Sequence, residues 1–410
     1  MTKLEQLIEQ LCPDGVEYKT LGDITTISRG GAFQKKDFVE EGVPCIHYGQ
    51  IYTKYRLFAN ETYTYISDQV AKKQKYAQPN DIVMAVTSEN IEDVCKCVAW
   101  LGNTSVAVSG HSAIIHHNQN TKFLAYYFHS SMFFTQKRKL AQGTKVIEVS
   151  PNKLNKISIP VPPIEVQAEI VRILDKFTEL TTELTTELTT EIANRKKQYE
   201  YYRDALFCCA NYEKKVVTEI ADTYIGLVTT MTKHYVANGV KLIHNSDVKE
   251  NRFEFSKETF LDEEFAEKNK TRKHKIDDII TVHTGDVGTS AVIDKDLDGS
   301  LGFATIVSRI KDKKVVLPKY LCYYLNSHQN KYNIVSMIKG DRNNLNLKDF
   351  NRLTIPVPPI EEQRHIVNIL DRFDKLCNDI SEGLPSEIEA RQKQYEYYRD
   401  KLLTFKERSV

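Results

Sequence analysis

No stretch of this sequence approaches the roughly 18 consecutive apolar residues of a membrane-spanning helix. A membrane is therefore not expected among its partners. Its amino end, MTKLEQLIEQLCPDGVEYKTLGDI, has neither the basic n-region nor the apolar h-region of a secretory signal. The eight cysteines are scattered, with one adjacent pair (Cys208, Cys209) and one C-x-C (Cys95, Cys97). None shows paired C-x-x-C spacing, so no zinc site is expected. Thiols without an export signal point to the reducing cytoplasm. Net charge is also nearly absent, +1 from 56 Lys and Arg against 55 Asp and Glu. Any surface for nucleic acid must then be local, not a property of the whole chain.

Catalytic patterns are missing as well. There is no G-x-x-x-x-G-K-[ST] to cradle a triphosphate, and no G-x-G-x-x-G after a strand. The two VPPI segments imitate the N-P-P-Y loop of adenine methyltransferases, but Val161 and Val357 stand where that loop needs a polar side chain. His111, His116 and His117 lie close together without a carboxylate or cysteine at ligand spacing. They read as ordinary surface or core histidines. Gly285-Asp-Val-Gly288 fits a short G-x-x-G pattern of some RNA binders, and a turn explains it equally. No cluster of acids beside a lysine suggests a nuclease.

What is present is a duplication. IPVPPIEVQAEIVRILDKF at 159–177 returns as IPVPPIEEQRHIVNILDRF at 355–373, with 14 of 19 residues identical. RKKQYEYYRDALF at 195–207 returns as RQKQYEYYRDKLL at 391–403. Both pairs are 196 residues apart, and the same offset puts Gly30 on Gly226. At an offset of 197, VPCIHYGQI meets VKLIHNSDV, NDIVMAVTS meets DDIITVHTG, and FLAYYFHS meets YLCYYLNS. Each half is thus a globular body followed by a helical segment. The expected boundaries are 1–15 for a short N-terminal helix, 16–160 and 210–356 for the bodies, and 161–209 and 357–410 for the helical segments. Short β-type runs and one helix per body, at 122–140 and 319–338, give a mixed α/β or α+β class. Each body closes on IPVPP, where proline ends a strand and opens a helix.

From Ile164 to Leu206 there is neither glycine nor proline, so one long helix is expected. Its middle, 178–191, reads TELTTELTTELTTE. Leu180, Leu184, Leu188 and Ile192 form an apolar spine spaced by four. Leu376, Ile380, Leu384 and Ile388 repeat it 196 residues later without the threonines. Two such spines suit helices that pack on each other as a coiled coil. Gly383 and Pro385 predict a break in the second. The short helix 4–11 is expected to support the far end of that second helix. Residues 164–194 carry seven acids and two bases, so this stretch should not lie along phosphates.

Basic and amide-rich loops occur in both bodies. The first has Lys35-Lys36, Lys54-Tyr-Arg56, Lys72-Lys73-Gln-Lys75, Lys137-Arg138-Lys139 and Lys145. The second has Lys233-His234, Lys249-Glu-Asn-Arg252, the run from Lys268 to Lys275, and Lys339-Gly-Asp-Arg342-Asn343-Asn344. Tyr48, Tyr52, Tyr55 and Phe58 interleave with the first set. Lys and Arg neutralise phosphates, while Arg, Asn and Gln can read base edges. The candidates for DNA contact are Lys35, Lys36, Lys54, Arg56, Lys145, Lys233, Lys249, Arg252, Arg342, Asn343 and Asn344. These loops differ between the copies while the scaffold does not.

The opening CPDGVEYKTLGDI, the two IPVPPIE-x-Q segments, the paired R-x-KQYEYYRD motifs and the TELT array together resemble the specificity subunit of type I restriction–modification systems. The likeness runs from residue 1 to about 405. It implies two target-recognition domains separated by two antiparallel helices, each domain reading one half of a split, asymmetric DNA site. It implies no catalysis by this chain. Two methyltransferase subunits and two restriction/translocase subunits would be its partners. S-adenosylmethionine, ATP and Mg²⁺ would belong to those partners. Tyr199, Tyr202 and Arg203, with Tyr395, Tyr398 and Arg399, would serve either partner docking or packing between the helices. In such a subunit the repeat count sets the unread gap. One TELT word lengthens a helix by ~6 Å and turns it ~40° past a full turn. One base pair advances ~3.4 Å and turns ~35°. A word is then worth one to two base pairs. Two other readings stand beside this one. One is a scaffold whose bodies bind only proteins. The other is a self-contained restriction enzyme, for which no catalytic motif remains.

Overall fold

A computed structural model describes residues 2–208, 212–338, 344–378 and 383–408. The chain divides into two compact units, one of residues 1–186 with 389–410 and one of residues 187–388. In the first unit a five-stranded sheet has the order Thr25–Arg29, Ser112–His117, Ile82–Ala85, Cys97–Trp100, Phe58–Ala59. A second has the order Phe38–Val39, Thr64–Ile66, Val43–Ile46, Val106–Val108, Lys75–Ala77. The second unit repeats both sheets with four strands each, centred on Ile279–Val282 and Val240–Ile243. Register is repeated too, since His116 lies opposite Thr26 and Arg309 opposite Asp222. The apolar runs IVMA and IITV are buried at every position, as central strands covered on both faces must be.

Gly30 and Gly226 explain their shared offset. A Cβ on either would collide with a backbone carbonyl, that of Ser109 or of Gly302. Only glycine lets the chain pass there.

The single helix expected in each body is two. Thr121–Phe128 is followed by Ser131–Leu140, and Pro318–Leu325 by His328–Met337. The cause is a serine at each junction. Ser130 Oγ accepts the Phe133 amide and Ser327 Oγ accepts the Asn330 amide, both at 3.3 Å. A serine that satisfies the first free amides starts a new helix instead of prolonging the old one.

The strands before the double prolines pair locally, Ser158–Pro160 with Tyr18–Thr20 and Thr354–Pro356 with Lys214–Val216. The long helix then runs from Ile164 to Cys208 without interruption, beginning in the first unit and ending in the second. The C-terminal segment forms Ile360–Asn378 and Leu384–Leu402, with Gly383 outside both helices. In the first unit the N-terminal helix Lys3–Leu11 contributes Leu4 to the core that also takes Val166, Ile170, Leu174 and Leu403. The amide of Val16 donates to Lys406 O at 2.8 Å, and that of Arg408 to Val16 O at 3.0 Å. The N-terminal segment therefore holds the end of the last helix, as expected.

Candidate nucleic-acid interface and helix seam

The candidate cations of the first unit fall into two groups. Lys35 and Lys36 occupy a single 3₁₀ turn, and Lys145 an exposed loop before strand Ile147–Glu148. None of the three has a described carboxylate within ion-pair distance. Behind Lys35 sits His47, buried, its Nδ1 accepting the Gly49 amide at 3.2 Å. Burial, helped by the charge of Lys35, pushes the His47 pKa down to about 4, so the ring is neutral. Tyr48 packs between the rings of His47 and His111, at 4.6 and 4.9 Å. His111 Nδ1 meets Thr87 Oγ1 at 3.2 Å, and Thr87 is the strand partner of Glu148. The loops bearing Lys35, Tyr48, His111 and Lys145 thus converge around Thr87. The result is an aromatic and imidazole floor rimmed by unpaired lysines.

The second unit assembles equivalent loops with other tips. Lys233 is exposed on the 3₁₀ turn Thr232–His234, again with no described carboxylate in reach. The next residue, His234, is held by Asp262 at 2.7 Å and stacked on Phe265. Asn245 takes the place of Tyr48. Its side chain accepts the His283 amide at 3.2 Å and donates to Ala304 O at 3.3 Å. Exposed Asn344 bridges to Thr284, beside His283. Arg342 and Asn343 lie outside the described residues.

The second group lies elsewhere. Arg56 lines a groove with Lys122, Asp175 and Lys176, and Lys54 covers the Tyr63 ring at 5.4 Å. Lys249 and Arg252 face each other in a tight hairpin whose tip is Glu250-Asn251. Asn251 is left-handed there (φ 64°) and donates to Tyr199 OH at 3.1 Å. Glu250 accepts from Arg203 at 3.1 Å and from Lys331 at 2.6 Å. Lys249 has no described carboxylate in reach, whereas Arg252 is paired with Glu254 at 2.7 Å.

Two of the basic runs are less basic at the surface than they read, although Arg138, Lys139 and Lys275 stay exposed with no described carboxylate in ion-pair reach. In the run from Lys268 to Lys275, Lys268 pairs with Glu264, and Lys270 and Lys273 both pair with Glu267. Arg272 straps the carbonyls of Ile225 and Gly226, and His274 is buried. Lys137 is buried as well, its Nζ donating to the carbonyls of Glu92 and Val94 at 2.9 and 2.5 Å. It caps a turn.

On the helices the QYEYYR positions separate by burial. Tyr199 and Arg203 are buried in the second unit, where Arg203 lies over the Tyr199 ring. Tyr395 donates to or accepts from Thr178 Oγ1 at 3.0 Å, and Arg399 bonds Asp400. Tyr202 stacks on Phe373 at 5.8 Å, and Tyr398 leans on Phe177 at 6.0 Å. In the first unit, contacts of Phe177 with Tyr398 and Thr178 with Tyr395 run in opposite chain directions, so the helices are antiparallel there. The middle tyrosines, Tyr201 and Tyr397, were not singled out from sequence, yet they are 71% and 62% exposed. Leu180 and Leu376 are also exposed, and Leu184, Leu188, Ile192, Leu384 and Ile388 are half-buried. Ile380 lies outside the described residues.

Sequence reasoning also missed Gln167 and Gln363, the glutamines of IPVPPIE-x-Q. Both are fully buried. Gln167 donates to Pro162 O at 2.7 Å and accepts the Asn120 amide at 3.0 Å. Gln363 donates to Pro358 O at 2.8 Å and accepts the Leu317 amide at 2.9 Å. Each stitches a helix start to its own body. Their invariance between the copies was the available signal. Among the described residues no group of three His, Cys, Asp or Glu could hold a metal ion, and no helix is long and apolar enough to cross a membrane.

A family model for the type I restriction modification DNA specificity domain matches the chain twice, at residues 13–194 and 211–390. The Haemophilus influenzae protein S.HindORF215P, described as a type I restriction enzyme specificity subunit, is 35% identical over 315 residues, covering 75% of this chain and 76% of that one. The specificity subunit of the Escherichia coli type I restriction enzyme EcoR124I/EcoR124II is 36% identical over 275 residues, covering 63% and 65%. A solved structure from work on complex assembly and conformational transition of the type I R-M system shares the fold, with a TM-score of 0.70 at 17% identity over 96% of this chain and 98% of that one. The HsdS subunit of Thermoanaerobacter tengcongensis gives a TM-score of 0.55 at 16% identity, over 97% and 98%.

Proposed function

The chain belongs to the type I restriction–modification DNA specificity family, and from that premise we propose that each of its bodies reads one half of a split, asymmetric DNA site. The observation that carries this reading is a shared scaffold with different tips. The loops around Thr87 offer Lys35, Lys36, Tyr48, His111 and Lys145, and their counterparts offer Lys233, Asn245, His283 and Asn344. Unpaired lysines at the rim suit phosphates, while aromatic, imidazole and amide groups within suit base edges. The long helix sets the unread gap. The chain itself catalyses nothing. Two methyltransferase subunits and two restriction/translocase subunits complete the complex, bringing S-adenosylmethionine, ATP and Mg²⁺, in the cytoplasm. Two equivalent patches suit two identical partners, one at Tyr201, Tyr202 and Leu376, the other at Tyr397, Tyr398 and Leu180. The proposed domains are the bodies 16–160 and 210–356, each followed by its helical segment.

The test is DNA affinity of the chain co-purified with a methyltransferase partner. Reversing Lys35 and Lys36 to Glu should weaken binding and flatten its salt dependence, each lost phosphate contact removing about 0.9 from the slope of log K against log salt. Reversing Lys270 and Lys273, which already face Glu267, should do less. Affinity indifferent to Lys35 and Lys36 in a folded protein would favour a scaffold that binds only proteins.

A further inference from the structure

We infer that a duplicated Lys–Asp–Tyr latch clamps each body to its helical segment and sets the point from which the TELT array counts. In the first unit Lys122 Nζ reaches Asp175 Oδ2 at 2.7 Å, and Tyr126 OH donates to Asp175 Oδ1 at 2.8 Å. In the second, Lys319 Nζ reaches Asp371 Oδ2 at 2.8 Å, and Tyr323 OH donates to Asp371 Oδ1 at 2.6 Å. The lysine and tyrosine are four residues apart on one face of a body helix, so a single carboxylate can take one donor on each oxygen. Both tyrosines are buried, while the two carboxylates stay about one third exposed, 36% at Asp175 and 35% at Asp371.

The latch recurs in two bodies whose loops have otherwise diverged. Its place along the chain matters more. Asp175 follows Leu174, the last buried residue before the array, and Thr178 opens the first TELT word. Thr178 Oγ1 meets Tyr126 OH at 3.1 Å and Tyr395 OH at 3.0 Å. The first threonine of the array is therefore tied to the body on one side and to the last helix on the other. Words inserted after it lengthen the helix from a fixed origin. A latch that slipped in rotation would blur every gap the array defines. Asp175, Asp371, Tyr126, Tyr323 and Thr178 are then positioning residues for gap length, with no part in reading bases.

This rests on the split-site reading above. The experiment uses the chain co-expressed with a methyltransferase partner, and duplexes carrying both half-sites at the native gap or one base pair longer or shorter. The ratio of methylation at the native gap to the altered gaps is measured for wild type, Tyr126→Phe with Tyr323→Phe, and Thr178→Val. The phenylalanine variants keep the buried rings and delete only the hydroxyls, so they retain packing where Asp175→Asn could unfold the unit. The expected result is a ratio about tenfold lower, the scale of one lost hydrogen bond to a charged group, with half-site choice unchanged and the melting temperature lowered by several degrees in a protein that still folds. Folded variants with the wild-type ratio would overturn the latch and leave the split-site reading standing. A wild-type complex indifferent to the gap would overturn both.

Discussion

Between Val166 and Leu174 the long helix buries six side chains in the first unit, and between Tyr199 and Phe207 it buries three in the second. From Asp175 to Gln198 it buries none. The ends are cut to fit particular bodies, through Ile170, Leu174, Arg203 and Phe207. The middle presents a half-exposed seam of Leu184, Leu188 and Ile192 and a solvated face of glutamates. A segment with no buried side chain has no specific cavity to leave or fill when its length changes. A four-residue word overshoots a full turn by only ~40°, so the next leucine stays near the same stripe. The contrast explains how a repeat can be inserted here without repacking either body.

The contrast breaks or sharpens by mutation. Leu174→Ala or Leu370→Ala removes a fully buried side chain and should cost about 2–5 kcal/mol in chemical denaturation, whereas Leu184→Ala should cost no more than about 1 kcal/mol, since the half-exposed seam already gives it little burial. Equal losses would mean that the seam is packed like a core. Acid should act on the bodies and spare the middle. His47 and His274 are buried and His129 is half-buried, and each is pushed down to about 4 by loss of solvation. Unfolding returns them to about 6.5. The unfolded chain then binds more protons, so their contribution is full above pH 6.5 and fades as pH falls toward 4. Urea midpoints measured across that window should fall, and His274→Gln should reduce the fall. The smallest effect belongs to the glutamate face. Glu183→Lys should change stability by no more than about 0.5 kcal/mol.

Much of this was legible because the chain carries its own comparison. The 196-residue offset exposed the duplicated bodies and the helix pair. Gly383, read with Pro385 as a break, stands outside both described C-terminal helices, whereas Pro385 lies within the second. The run at 268–275 reads as basic, although Glu264–Lys268 and Glu267–Lys270 stand at helical pairing distances that foretell its partial cancellation. Other features depended on contacts distant in sequence. Lys137 is buried only because the carbonyls of Glu92 and Val94 point at it from another loop. Gln167 and Gln363 gain a role only once the proline carbonyls and the body amides that they bridge are placed. Charge counting along the sequence cannot see such pairings. Arg252, by contrast, is paired with Glu254 two residues on, a spacing that strand alternation puts on one face. The loops around Thr87 come from five separate stretches, and only the fold shows that they meet.

The most direct test of the account is to remove one word, residues 182–185, and map methylated adenines in cells that carry the partner subunits. The account predicts the same two half-sites separated by one or two fewer base pairs. An altered half-site at the original separation would contradict it.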